Sequence, residues 1–132
     1  NTGHDGSMTT VHANTPRDAL SRLEQMVTMT GIDFPMRSVR GQMSSAIHVV
    51  LQLSRLSDGR RRVVSLQEIT GMEGDVITMQ EIFRFARDGV ESDGSVIGRF
   101  EATGVRPSFT ADLAAAGFHI RPEIFTAHRA LE

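Results

Sequence analysis

The chain has 132 residues and a formal net charge of -2, enough length for one domain with a core but no overall field to gather nucleic acid or anionic lipid. All 14 basic residues are arginine and cysteine is absent, so a Walker A loop, Schiff-base chemistry, disulfides and thiolate metal sites are all excluded from these residues. Apolar content of 39% fits a soluble globular fold, and the longest apolar run, Ala46–Leu53, is broken by His48 and Gln52, far short of the ~18–20 residues that cross a bilayer.

Both ends look cut. Residues 1–7 open in the middle of a polar, glycine-rich motif, and Leu131–Glu132 reads as native or as an expression scar. Met8–His12 has the β-branched content of a short strand. A helix is predicted over Pro16–Thr30, with Thr15 as N-cap, Pro16 at the first helical position and Asp18 in the capping-box place. Leu20, Leu23 and Val27 recur at helical spacing, and Gly31 closes the element. Met36, Val39, Met43 and Ala46 mark a second, shorter helix after Pro35.

The pattern then turns to period two. Ile47, Val49, Leu51 and Leu53 alternate with polar positions, Asp58-Gly59 signals a hairpin, and Arg61–Ile69 is the return strand. Gly71–Asp75 reads as a turn, and Val76–Glu81 is open between a helical turn and a loop. Ile82–Arg87 and Val96–Ala102 form a second predicted hairpin across the loop Asp88–Ser95. Beyond Pro107, Ser108 caps a short helix with the stripe Phe109, Leu113, Ala116, closed by Gly117, and Pro122–Phe125 starts a last turn.

Reactive side chains are densest in Thr2–Asn14, where His4, Asp5, Ser7, Thr10 and His12 lie between and beyond Gly3 and Gly6. Hydroxyls and imidazoles donate to phosphate oxygens, and glycine lets a backbone approach a ligand closely. Read from residue types alone, the plainer account is a polar loop feeding an edge strand. His4 and His12 stand eight apart rather than four, so a metal site with Asp5 or Asp18 as third ligand is not expected. Ser7 lacks the nucleophile-elbow pattern.

The run Thr2-Gly3-His4-Asp5-Gly6-Ser7 with Thr10-Val11-His12-Ala13-Asn14 resembles the histidine box of the type II/type IV secretion ATPase superfamily. Thr15–Leu23, Gly71–Asp75 with Ile82–Phe85, and Phe100–Gly104 with Arg106-Pro107 resemble its tight-adherence (Flp) pilus-assembly branch, the CpaF-like ATPases. The resemblance implies the C-terminal part of a RecA-like P-loop ATPase domain over residues 1–70, then a mostly antiparallel family extension over residues 71–132. It implies a parent that works as a hexameric ring with ATP and Mg2+, at the cytoplasmic face of the inner membrane, against pilus or secretion platform proteins. Walker A, the aspartate box and Walker B would lie upstream, so these residues alone would be inactive and hold no nucleotide tightly. Gly3, His4, Gly6, Ser7, Thr10 and His12 would sense the nucleotide's phosphate rather than act as a base.

Arg17 and Arg22 flank the start of the first helix, as exposed residues or as contacts to nucleotide or a neighbouring subunit. Arg60-Arg61-Arg62 reads as a solvated hairpin arm, with an acidic partner or phosphate as the alternative. Glu73 and Asp75 argue against nucleic acid at Gly71-x-x-Gly74. His48 is expected to be a hydrogen-bonded structural residue, and the seven Met and seven Phe to fill the core, a few serving subunit contacts. Two rivals remain: a stand-alone interaction or regulatory module, and a related DNA-translocating motor.

Overall fold

A computed structural model describes residues 6–128. Thr15 takes the extended N-cap conformation (φ -138°, ψ 161°), its hydroxyl accepts the Asp18 N–H at 3.1 Å, and Pro16 opens α1 (Pro16–Thr28). That helix stops two residues before the predicted Thr30, and Gly31 turns the chain at φ 76°. Helix α2 (Met36–Ala46) follows. Four strands, β1 (Val49–Arg55), β2 (Arg61–Glu73), β3 (Val76–Val90) and β4 (Val96–Ala102), make an antiparallel sheet in the order β1-β2-β3-β4. A short helix α3 (Phe109–Ala115) and a 3-10 turn (Pro122–Phe125) complete the described residues.

Four expectations change. Met8–His12 is in no strand: it runs as an exposed segment with no ladder partner among the described residues. β-branched content gives a segment the capacity for a ladder but does not supply the neighbour. The predicted turn Gly71–Asp75 shrinks to Gly74-Asp75, because β2 runs on to Glu73 and pairs with Val76. Val76–Glu81, left open between helix and loop, is the first half of β3, with Ile77 buried opposite Met72. The predicted loop from Asp88 narrows, since β3 continues to Val90 and returns through the turn at Glu91–Ser95.

The sheet is covered by α1 and α2 on one face and only in part, by the 3-10 turn, on the other. Helices α1 and α2 bury Leu20, Val39 and Met43 against Ile69 and Ile77, with Val50 and Met79 beside them. Side chains alternate along a strand, so Val49, Leu51 and Leu53 point to the other face. There Leu51, Leu66, Phe83 and Ala102 are successive cross-strand partners, and Phe125 of the 3-10 turn stacks on Phe83 with ring centroids 5.6 Å apart.

Helix α3 is anchored by one buried carboxylate. Glu68 accepts the N–H groups of Ser108 at 3.1 Å and Phe109 at 3.2 Å, and the Ser108 hydroxyl also donates to it. The expected Ser108 cap is therefore replaced: its side chain serves Glu68 rather than its own helix. At the other end Gly117 (φ 90°) lets Phe118 N–H reach Leu113 C=O at 2.8 Å and its own N–H reach Ala114 C=O at 3.0 Å, a Schellman closure.

Candidate functional site

Asp18, Ser21, Arg22 and Gln25 fall at i, i+3, i+4 and i+7, so a 3.6-residue period sets them in one polar stripe along α1. Leu20, Leu23 and Val27 occupy the opposite, core-facing stripe. His12, Ala13 and Asn14 lie beside the polar stripe just before the Thr15 cap, and the Gln52 side-chain amide of β1 donates to the Ala13 carbonyl at 3.0 Å. The result is an open groove of about 470 Å³ lined by His12, Ala13, Asn14, Asp18, Ser21, Arg22 and Gln25.

Its donors are the Arg22 guanidinium, two carboxamides, the Ser21 hydroxyl and the His12 imidazole, a set suited to phosphate oxygens. Asp18 is the one carboxylate in the lining, an acceptor for hydroxyl or amine protons. Arginine supplies permanent charge, so Arg22 gives the groove a fixed cation. No three His, Asp or Glu gather into a metal-holding group among the described residues.

The other candidate residues fall elsewhere. Gly6 (φ 85°), Ser7 and Thr10 sit on the exposed lead-in segment and do not line the groove. Gly3 and His4 lie outside the described residues. Arg17 is engaged with the sheet: its Nη1 donates to the Ile77 carbonyl at 2.9 Å, pinning α1 on β3. Ser21 and Gln25 were not singled out from the sequence, and the signal that finds them is the polar i, i+3, i+4, i+7 stripe itself.

The arginine run divides in the same way. Arg62 leans 5.3 Å from the Phe85 ring centroid and 3.7 Å from Asp58, while Arg60 and Arg61 stay exposed. Asp58 bridges the two hairpins by accepting the Val96 and Arg60 N–H groups, each at 3.0 Å. Those two bonds, Val96 first, hold its carboxyl below the usual range against the opposing effect of burial. The expectation for His48 is overturned: the residue is exposed at the rim of an apolar cleft with Val49, Phe109, Asp112 and Leu113, its imidazole has no hydrogen bond among the described residues, and its backbone carbonyl accepts from Ile69 N–H.

The buried Glu101 of β4 accepts from Arg84 at 3.2 Å and Arg99 at 3.1 Å, with His128 Nδ1 3.6 Å away. Burial alone would raise its carboxyl, but the Arg84 hydrogen bond, the Arg99 charge and the His128 contact together hold it low.

Fold and groove define a mixed α/β domain with an arginine- and imidazole-bearing polar site at the start of a capped helix. The chain belongs to the type II/IV secretion system protein family, which matches residues 1–93. A Mycobacterium tuberculosis protein named for conjugal transfer is 36% identical over 76 residues, 58% of this chain and 21% of that protein. The conjugal transfer protein TrbB of Rhizobium radiobacter is 36% identical over 74 residues, 56% of this chain and 20% of its own length. The type IV secretion system protein VirB11 of Bartonella henselae is 37% identical over 71 residues, 50% of this chain and 19% of its own. The chain thus spans about a fifth of the length of these relatives. No helix of the described residues is long and apolar enough to cross a membrane.

Proposed function

We propose that these residues belong to a RecA-like, ATP-hydrolysing motor of a secretion or pilus-assembly system, and that the His12–Arg22 groove senses the phosphate of its nucleotide. The observation that carries this reading is the convergence of His12, Asn14, Ser21, Arg22 and Gln25 on one groove. Family membership and the relatives named for conjugal transfer and type IV secretion support it. The runs Thr15–Leu23, Gly71–Asp75 with Ile82–Phe85, and Phe100–Gly104 with Arg106-Pro107 favour the pilus-assembly, CpaF-like branch. ATP and Mg2+ are the proposed cofactors, and a hexameric ring at the inner membrane is the proposed assembly.

The donor set fits a phosphate. Arg22 presents a planar fork of N–H groups, Asn14 and Gln25 present amides, and His12 donates in either protonation state. Mg2+ prefers several hard oxygen ligands, and Asp18 is the only carboxylate in the lining, so the metal is not assigned to these residues. Loss of the γ-phosphate would free His12 and, through the Gln52–Ala13 hydrogen bond, let the lead-in segment and α1 shift against β1. The proposed division into residues 1–70 and an extension over residues 71–132 falls inside β2, whose ladder with β3 runs on to Glu73.

His12→Ala in the intact ATPase tests the sensor. ATP turnover is expected to fall at least about tenfold while ATP affinity changes by no more than about threefold, as for an interaction that acts on the chemical step. An equal loss of both contradicts a sensing role.

A further inference from the structure

Within β1, Val50, Gln52 and Ser54 share the face turned to α1 and α2, and Val50 packs into the core there. Gln52 does something else. Its Nε2 donates to the Ala13 carbonyl at 3.0 Å, 39 positions earlier in the chain, and to the Leu53 carbonyl at 3.2 Å. Both partners are acceptors, which assigns the nitrogen of the carboxamide to this side and occupies both of its N–H groups. One bond braces the side chain against its own strand, and the other holds the lead-in segment. The ladder is shaped at the same place. Gln52 faces Ser65 and Leu53 faces Val63, so Val64 has no partner on β1. A bulge of this kind increases the local twist and re-aims the side chains beside it.

We propose that Gln52 is a positioning residue, which places the His12 imidazole in the groove beside Arg22 without lining the groove itself. Among the described residues, the Gln52–Ala13 bond is the one hydrogen bond that ties residues 6–14 to another element. The Thr15 cap fixes the chain two residues further on. Consecutive Cα atoms are about 3.8 Å apart, so a hold at Ala13 leaves His12 one residue from a fixed point. Without that hold, the nearest fixed point is the cap itself. The chemistry demands a donor at position 52. Glutamate has the same shape but only accepts, so it would set oxygen against two carbonyls, and methionine of similar length removes both bonds without repulsion. The effect on turnover rests on the proposed sensing role of His12, whereas the placement of His12 needs no nucleotide.

Two measurements test this. In the 132-residue chain, Gln52→Met is expected to lower NMR backbone order parameters at His12–Asn14 from about 0.85 to below about 0.6, with α1 unchanged. Order that persists at His12–Asn14 overturns the proposal. In the intact ATPase, Gln52→Glu is expected to lower kcat at least about fivefold while KM stays within about threefold. Added to His12→Ala, it should deepen the loss of kcat by less than about twofold, because both changes remove one interaction. Losses that multiply show that Gln52 does not act through His12, and overturn the proposal. So does a lower melting temperature with kcat unchanged, the mark of a glutamine that only satisfies a carbonyl. If Gln52→Met loosens His12–Asn14 but His12→Ala leaves kcat intact, the placement is confirmed and the sensing reading is the part that fails.

Discussion

The two sides of α1 have opposite characters. Its apolar stripe is locked into the sheet through Leu20, Leu23 and Val27, with Arg17 bonded to the β3 backbone. Its polar stripe faces an open groove tied across elements, among the described residues, by Gln52 to Ala13. The first side answers to stability, and the second is the side that the proposed function gives to a ligand. One helix therefore carries a packed face and an open polar face, separated by half a turn.

Substitution should separate the two sides. Leu20→Ala empties a buried position between α1 and the sheet and is expected to cost about 2–5 kcal/mol of unfolding free energy, read from urea denaturation. A loss under about 1 kcal/mol would mean that α1 is loosely held and the comparison is wrong. Glu68→Ala leaves the first N–H groups of α3 without their acceptor and should cost about 1–3 kcal/mol, with α3 amides losing hydrogen-exchange protection first. Uniform loss of protection across the sheet would show that α3 is not a separately anchored unit.

Asp58 gives a smaller, pH-dependent effect. Its folded carboxyl titrates below the unfolded value of about 3.9, so its stabilisation is present above that value and is lost as pH falls through the lower folded one. Asp58→Asn should therefore reduce the melting temperature near neutral pH, and the gap to the unmodified chain should close under strongly acid conditions. A gap that widens in acid would reverse the sign of the argument.

Local chemistry made most elements legible. Thr15-Pro16 fixed the start of α1, Asp58-Gly59 the first hairpin, and Gly117 the end of α3, because each acts within a few residues. What escaped depended on distant neighbours. Val76–Glu81 became a strand because β2 lies beside it, and Met8–His12 did not because no neighbour among the described residues pairs with it. Glu68 carries no signal of its own in the sequence, yet it is buried and accepts from donors 40 and 41 positions away. The exposed Met26 and Met36 defeat the assumption that apolar residues at helical spacing are core. In the groove, His12 and Arg22 were named in advance, but that they meet while Arg17 turns to the sheet followed only from the helix's rotation.

The position of the nucleotide relative to the groove tests the central claim most directly. In the structure of the intact protein bound to a non-hydrolysable ATP analogue, the account predicts phosphate oxygens within hydrogen-bond reach, about 2.7–3.2 Å, of His12 and Arg22. It also predicts that at least the His12 contact is lost in the ADP complex. A nucleotide bound with the groove empty in both states would contradict the assignment.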